Sequence, residues 1–255
     1  MIDTRSQKRR HNMYKLLAQS FLYPGQRVYD FIHSDAYGII LSEYLSASEC
    51  PDALSESIHA LKGLHAQGDH TQTREKFEQD YNRLFAHLGS AKCPPYETEF
   101  GHDNIFQKTD SMADIAGFYR AYGLEIGSLN TERADFICTE LEFMSYLTRH
   151  EAYAHDHDES EHLEICIETQ RKFIADHLGR WVTLFARILA QSSENPFYSR
   201  LGGLTERFID AEAAMLGVSV NKIAGVSAQD PDTQAPFGCG TCSAAVPDDA
   251  GCVEK

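Results

Sequence analysis

The sequence predicts an all-α protein, a single globular domain of about eight antiparallel helices with a flexible C-terminal tail. Apolar residues recur at spacings of three and four along most of the chain, which is the period of helices that pack through one face. No convincing alternation of apolar and polar residues indicates a strand. Short turns separate the periodic stretches, as between helices that pack as antiparallel neighbours.

Four helices are predicted in the first third of the chain. The first covers residues 4–22 and stops before a Pro-Gly turn, and the second covers residues 27–45 with an interruption near Gly38. The third begins at Pro51, where a missing N–H group costs nothing, and the fourth covers residues 71–87. The fourth helix has large apolar side chains on one face: Phe77, Tyr81, Leu84, Phe85 and Leu88.

Four more helices are predicted after a proline-containing loop. They cover residues 110–123, 130–153, 163–191 and 196–216. The composition then changes to glycine, proline, serine, aspartate and alanine, which is typical of a mobile segment. We therefore predict a helical domain at residues 1–216 and a flexible, cysteine-containing tail at residues 217–255.

Composition restricts the class of partner. The net charge of −15 argues against affinity for nucleic acid or an anionic membrane and favours basic partners. No apolar run of about 18 residues exists, so no membrane span is predicted. The basic N-terminus is followed by an amphipathic helix without a small-residue cleavage site, which indicates a mature cytoplasmic protein. Seven cysteines, four of them isolated, indicate free thiols in a reducing compartment.

The loop after the fourth helix is the stretch most suited to function. Pro94 and Pro95 donate no backbone hydrogen bonds and fix φ near about −65°, so the loop is stiff. It presents Tyr96, Glu97 and Phe100, and residues 92–109 form the longest insertion between helices. Long ordered loops in helical domains tend to be functional.

The sixth predicted helix carries three acids beside its apolar stripe: Asp135, Glu140 and Glu142. Acidic side chains on helices are usually exposed to solvent and have no specific role. Together with the loop carboxylates they also predict an acidic and aromatic surface. Such a surface suits an extended basic and apolar peptide, because carboxylates bind arginine bidentately.

Cysteine and histidine patterns leave a second class of function open. Cys239 and Cys242 form a Cys-x-x-Cys pair with Cys252 nearby, which suits zinc, an iron–sulfur site or a redox pair, or else a disordered tail with reactive thiols. Two Glu-x-x-His pairs match a di-iron pattern at about the chance frequency. The alternative function is therefore metal or cofactor delivery through the tail. No nucleophile–base motif or phosphate loop is present, so no enzymatic activity is predicted.

Three segments, in order, carry a family resemblance. The first joins Tyr81-Asn-Arg-Leu84-Phe85 to Pro94-Pro95-Tyr96-Glu97. The second joins Tyr122-Gly123-Leu124 to the stretch from Asp135 to Met144, and the third runs from Phe173 through His177-Leu178 to Trp181. In this combination the chain resembles the TorD/DmsD/NarJ family of redox-enzyme maturation chaperones over residues 10–216.

The resemblance implies a helical chaperone without a catalytic centre. Such proteins bind the twin-arginine signal peptide, or the apo form, of a molybdenum-cofactor oxidoreductase catalytic subunit and hold it in the cytoplasm until cofactor is inserted. No cofactor of its own is implied, although contact with a metal or the molybdenum cofactor stays open, as does the choice between monomer and homodimer.

The family's peptide-binding residues carry over to Tyr96, Glu97 and Asp135. The chain departs from the family pattern at Phe136, where the family has histidine, and at Thr98, where it has serine. We predict that Tyr96 and Phe100 contact the apolar part of a peptide. The residues predicted to face its arginines are Glu97, Asp135 and Glu142. At Phe136, which is also among the predicted peptide-binding residues, the role of the family histidine is either absent or replaced by an aromatic contact.

Overall fold

The structure, a computed structural model, confirms the all-α class. It describes residues 4–46, 50–66, 73–86, 91–101, 105–125 and 132–224. Within these ranges every regular element is helical, apart from one isolated bridge between Tyr96 and Phe136. None of the helices so described is long and apolar enough to cross a bilayer.

Ten α-helices occur in the described residues, where the sequence predicted about eight. The first five are α1 (Thr4–Ser20), α2 (Gln26–Ile32), α3 (Asp35–Leu45), α4 (Asp52–Ala66) and α5 (Arg74–Phe85). The others are α6 (Ile105–Ala121), α7 (Ile137–Asp156), α8 (Ser160–Phe173), α9 (Gly179–Ser192) and α10 (Pro196–Met215).

Two helix pairs organise the core. Helix α1 packs along α7, and α9 packs along α10, which also covers α4. Helix α1 buries Met13, Leu16 and Leu17, the apolar face that the sequence indicates, while the inner sides of α7, α9 and α10 are aromatic and aliphatic. The candidate site lies where α6, α7 and α9 meet the loop that contains Pro94 and Pro95, which we call the proline loop.

Several predicted boundaries are wrong for local reasons. The second predicted helix is two helices, because the chain breaks at Ser34, which has extended φ and ψ and precedes α3, whereas Gly38 lies inside α3. Helix α6 begins at Ile105, not at residue 110, so the loop is shorter than predicted. Helix α7 begins at Ile137, not at residue 130, and the preceding residues 132–136 are extended or turned.

The seventh predicted helix is α8 and α9 joined by a wider helical turn. Residues Ile174–Leu178 adopt π-helical hydrogen bonding, so the helical path continues while its register shifts. The turn contains His177, which is buried and points toward the proline loop. Such π-bulges frequently occur at functional sites.

Residues 217–224 follow α10, and Ile223 among them contacts α9. Gly217 has φ +69°, and the N–H group of Val218 donates to Ala213 O at 2.8 Å, which closes the helix end. The N–H group of Ile223 donates to Arg180 O at 2.9 Å. The predicted division between residues 1–216 and a flexible tail stays a prediction, and residues 225–255, including the three tail cysteines, lie outside the described residues.

A glycine allows the close contact between α9 and α10. A Cβ atom at Gly202 would lie 2.5 Å from Ala186 O and 3.0 Å from Ala190 N, both backbone atoms of α9. We expect Gly202→Ala to reduce the free energy of unfolding by about 1–3 kcal/mol, because the helices must separate. Urea denaturation measures this change.

Gly203→Ala is the matched control for that experiment. Gly203 is also in α10, but its Cβ would meet no atom within 4 Å. Because alanine is the better helix former, this variant should be about 0.5–1 kcal/mol more stable than the parent protein. Equal destabilisation by the two substitutions would contradict close packing at Gly202.

Candidate functional site

The proline loop is attached to the segment that precedes α7. The N–H group of Glu97 donates to Asp135 O, and that of Ile137 donates to Pro95 O, each at 3.0 Å. Between these bonds the rings of Tyr96 and Phe136 lie 5.5 Å apart. Pro95 can accept without donating, so the bond to α7 uses the one backbone group that it has.

Asp135 holds the loop in place. Its Oδ2 accepts from the Thr98 N–H group at 3.1 Å and from the Thr98 hydroxyl at 2.8 Å. The carboxylate is completely buried and also accepts two hydrogen bonds from Arg133. A buried carboxylate is tolerated because its charge is paired and its oxygens are hydrogen-bonded.

A second set of buried polar groups lies beneath the loop. Glu97 Oε1 accepts from the Ser111 hydroxyl at 2.9 Å and lies 3.2 Å from His177 Nδ1. On the other side of the imidazole, His177 Nε2 lies 3.2 Å from Asp114 Oδ2. His177 therefore connects the loop to α6 through two carboxylates.

Glu140 completes this buried set. Its Oε2 accepts from Trp181 Nε1 at 3.1 Å, while its Oε1 and the Oε2 of Glu97 have no hydrogen-bond partner in the described structure. Burial and the neighbouring charge of Glu97 raise the pKa of the Glu140 carboxyl well above its usual range. The raised pKa means that the Glu140 carboxyl keeps its proton in the folded protein.

The predicted peptide-binding residues are distributed unequally between surface and interior. Glu142 is exposed and Tyr96 is half-buried, but Glu97, Phe100, Asp135 and Phe136 are buried. The expectation that these loop and helix groups all form an outer surface is therefore wrong for this conformation. Their role in peptide binding stays a prediction.

Phe100 shows why the loop is not merely a surface feature. Its ring lies 5.3 Å from that of Trp181, inside the core. The loop ends at Gly101, which has φ +71° and a Cβ position 3.0 Å from Ile223 Cδ1. Only glycine adopts this conformation readily and leaves space for the isoleucine.

An open cleft of about 600 Å³ adjoins the loop. Its charged lining groups are Asp110, Asp114 and Asp176 against Arg180, with His177 also at its wall. The remaining lining residues are Gly101, Gln107 and Ser111. The cleft therefore has an excess of negative charge, which favours a cationic ligand.

Two exposed apolar side chains stand at the start of α6, the helix that supplies Gln107, Asp110, Ser111 and Asp114 to this cleft. Ile105 is 71% exposed and Phe106 is 78% exposed, the largest fractions among the exposed large apolar residues described. Phe106 precedes Asp110 by four residues, so the two share a face of the helix. Large apolar groups next to an acidic cleft indicate a binding surface.

Sequence reasoning did not assign roles to Arg133 or His177. His177 was within the third motif of the resemblance, so the signal was present without a role. Arg133 lies two residues before Asp135, a spacing that indicates no specific contact in an irregular segment. Its role depends on how the chain turns before α7.

Metal-binding predictions find no support among the residues that the structure describes. In these ranges no group of three or more His, Cys, Asp or Glu side chains is arranged to hold a metal ion. His162 Nδ1 lies 3.0 Å from Glu159 Oε2 in an exposed pair. Cys93, Cys138 and Cys166 are free buried thiols, and burial raises the pKa of the Cys166 thiol to about 11, so it stays protonated. Cys239, Cys242 and Cys252 lie outside the described residues.

Comparison with known proteins places this site in context. The sequence profile of the nitrate reductase delta subunit family matches residues 48–187, more than half of the chain, including the proline loop, α7 and Trp181. The chain is 35% identical over 100 residues to the perchlorate reductase assembly chaperone protein of Dechloromonas aromatica, across 39% of this chain and 44% of that protein. That match thus spans less than half of the relative.

Longer matches connect the chain to two further chaperones. It is 27% identical over 188 residues to the selenate reductase assembly chaperone protein of Thauera selenatis, which covers 70% of this chain and 90% of that protein. It is 21% identical over 170 residues to the chaperone protein TorD of Vibrio cholerae, which covers 66% and 76% of the two chains.

Proposed function

This chain belongs to the nitrate reductase delta subunit family, and we propose from that membership that it is an assembly chaperone and not an enzyme. Its client would be the apo catalytic subunit of a molybdenum-cofactor oxidoreductase. The chaperone would bind the client's twin-arginine signal peptide in the cytoplasm and release it after maturation. The relatives named as reductase assembly chaperones support the first part of this proposal.

The acidic cleft, with Phe106 on the same face of α6 as Asp110, is the observation that supports peptide binding. A signal of this class has arginines next to an apolar stretch, so it needs carboxylates and apolar groups side by side. Asp110 and Asp176 are exposed at the cleft and available to arginines. Phe106 would cover the adjacent apolar residues.

None of the predicted peptide-binding residues lines the cleft. Tyr96 and Glu142 are reachable in the described conformation, whereas Glu97, Phe100, Asp135 and Phe136 are buried in the loop or at its junction with α7. Of these, Glu97, Phe100 and Phe136 would touch a peptide only after the loop moves away from α7. The chaperone would need no cofactor of its own for this binding.

Replacing two exposed cleft acids tests the electrostatic part of the proposal. We expect Asp110→Asn with Asp176→Asn to weaken binding of a synthetic peptide with two adjacent arginines and a following apolar stretch. The loss should be about three- to tenfold at low salt and smaller at high salt, because exposed charge pairs are weak and screened. Fluorescence anisotropy of a labelled peptide measures both values.

Glu161→Gln with Glu164→Gln is the control for net charge. Both residues are exposed on α8 and lie outside the cleft, and the double variant changes the charge of the protein by the same amount. If both double variants lose the same affinity, the peptide responds to net charge and the cleft is not its site. If the parent protein binds no peptide, the signal-binding part of the proposal is wrong.

A further inference from the structure

An arginine of this chain occupies the site where the sequence predicts an arginine of a peptide. Arg133 Nε donates to Asp135 Oδ1 at 2.9 Å and Arg133 Nη2 donates to Asp135 Oδ2 at 2.7 Å. Its guanidinium carbon lies 4.5 Å from the centre of the Tyr96 ring. A bidentate carboxylate and an aromatic face together are the arrangement by which proteins recognise guanidinium rather than ammonium.

Two further groups surround the same guanidinium. Nη2 also donates to the Thr98 hydroxyl at 2.5 Å, and Nη1 lies 3.4 Å from Glu99 Oε1. The other oxygen of Glu99 accepts from Lys108 at 3.1 Å. Four groups of the loop and the α7 junction therefore converge on one planar cation.

Most of this site is built without Arg133. The Thr98 N–H group and hydroxyl bind Asp135 directly, and the Glu97 N–H group binds Asp135 O. The Tyr96 ring is held against Phe136 by the isolated backbone bridge between these two residues. Removing the arginine side chain would consequently leave its receptor groups in place, with the charge of Asp135 unpaired.

The site is also within reach of solvent. The Arg133 side chain is 32% exposed, as is that of Glu99, although Asp135 beneath them is completely buried. A guanidinium arriving from outside could thus replace Arg133 by exchanging like for like. Neither the stacked contact nor the bidentate pair would be available to a lysine.

We propose that Tyr96, Thr98, Glu99 and Asp135 form a guanidinium-recognition site that Arg133 fills in the resting protein and that a client arginine takes over. This inference rests on the proposed function for the identity of the client. Arg133 is an internal competitor: it keeps the buried Asp135 paired while no client is bound, and it lowers the affinity for single, unsupported arginines. The exchange also provides selection for arginine over lysine.

Methylguanidinium tests the site in the absence of any client. Arg133→Ala should have a lower Tm than the parent protein, and methylguanidinium at millimolar concentrations should raise that Tm saturably. Methylammonium should not raise it, because it offers neither the planar face nor two parallel donors. The parent protein and the double variant Arg133→Ala with Asp135→Asn should gain nothing from methylguanidinium.

Arg187→Ala is the matched control for chemical rescue. Arg187 Nε donates to Glu206 Oε1 at 2.7 Å in a pair between α9 and α10, with the arginine side chain 58% exposed. Methylguanidinium should not raise the Tm of this variant. Equal rescue of both variants, or no rescue of Arg133→Ala, would overturn the guanidinium site.

Peptide affinity tests the exchange. Arg133→Ala, and Arg133→Lys where the alanine variant does not fold, should bind the diarginine peptide more than about tenfold more tightly than the parent protein, because the competitor is gone or weakened. Equal affinity for variant and parent would overturn the exchange while leaving peptide binding intact. Absence of binding to every form would overturn the proposed function, whereas the methylguanidinium result would still decide whether the guanidinium site exists.

Discussion

Replacing Arg10 with methionine is expected to reduce the free energy of unfolding by about 3–5 kcal/mol at neutral pH. Arg10 is in α1 and is almost completely buried. Its Nε donates to both carboxylate oxygens of Glu212, at 3.0 and 2.9 Å, and its Nη1 donates to Glu151 at 2.8 Å. One cation thus compensates two buried carboxylates from α7 and α10.

The rest of this cluster ties a fourth helix to the same point. Gln170 of α8 accepts from Arg10 Nη2 at 2.6 Å and donates to Glu151 at 2.8 Å, and Gln7 donates to the other Glu151 oxygen at 3.1 Å. Without the guanidinium, two carboxylates would face each other in a site with no water-exposed surface. The large expected loss arises from these unpaired charges more than from lost packing, because methionine has a similar length.

Urea denaturation of Arg10→Met and Arg5→Met would measure the effect against an exposed arginine of the same helix. The Arg5 variant should lie within about 0.5 kcal/mol of the parent protein. Adding Glu151→Gln and Glu212→Gln to Arg10→Met should recover a large part of the loss, because the remaining groups are neutral. A stability of Arg10→Met equal to that of Arg5→Met would show that the cluster contributes nothing.

The helices were predictable wherever one face is apolar and the end carries a clear signal. For α10 the prediction of residues 196–216 is almost the observed Pro196–Met215, because Asn195 accepts from the Phe197 N–H group and Pro196 starts the helix. The break before α3 was missed, because Ser34 carries a weaker signal than the nearby glycine. Arg10 was missed as a core residue, although it precedes Met13, Tyr14 and Leu17 by three, four and seven residues on the buried face.

The site was predictable as a set of neighbours but not in its exposure. The motifs identified the loop and the start of α7, and the structure joins them at Tyr96 and Phe136. Acids in a sequence are assigned to the surface by default, because burial of a charge is unfavourable without a partner. The partners here are Arg133 and His177, and only the three-dimensional path of the chain brings them to Asp135 and Glu97.

Stability is expected to fall as pH rises above about 4.5 because of Glu140. The carboxyl is completely buried beside Glu97, with Asp135 also nearby, and its pKa is raised, so the folded protein holds a proton that the unfolded chain releases near its ordinary value of 4.5. The folded state then binds more protons than the unfolded state, which makes the slope of stability against pH negative. The loss is at most about 1.4 kcal/mol per pH unit and ends once the folded pKa is passed.

Glu140→Gln should remove this part of the pH dependence. The amide keeps an acceptor for Trp181 without an ionisable group. Stability relative to the parent protein should therefore increase with pH, by up to about 2.7 kcal/mol between pH 5 and pH 7. Urea denaturation at both pH values measures it, followed by the fluorescence of Trp181, the one tryptophan of the chain, whose indole donates to Glu140.

The comparison with Glu164→Gln isolates burial from the change in charge. Glu164 is exposed on α8, so its replacement should shift stability equally at pH 5 and pH 7. A parallel pH dependence of stability in all three proteins would mean that Glu140 does not hold a proton in the folded protein across this range.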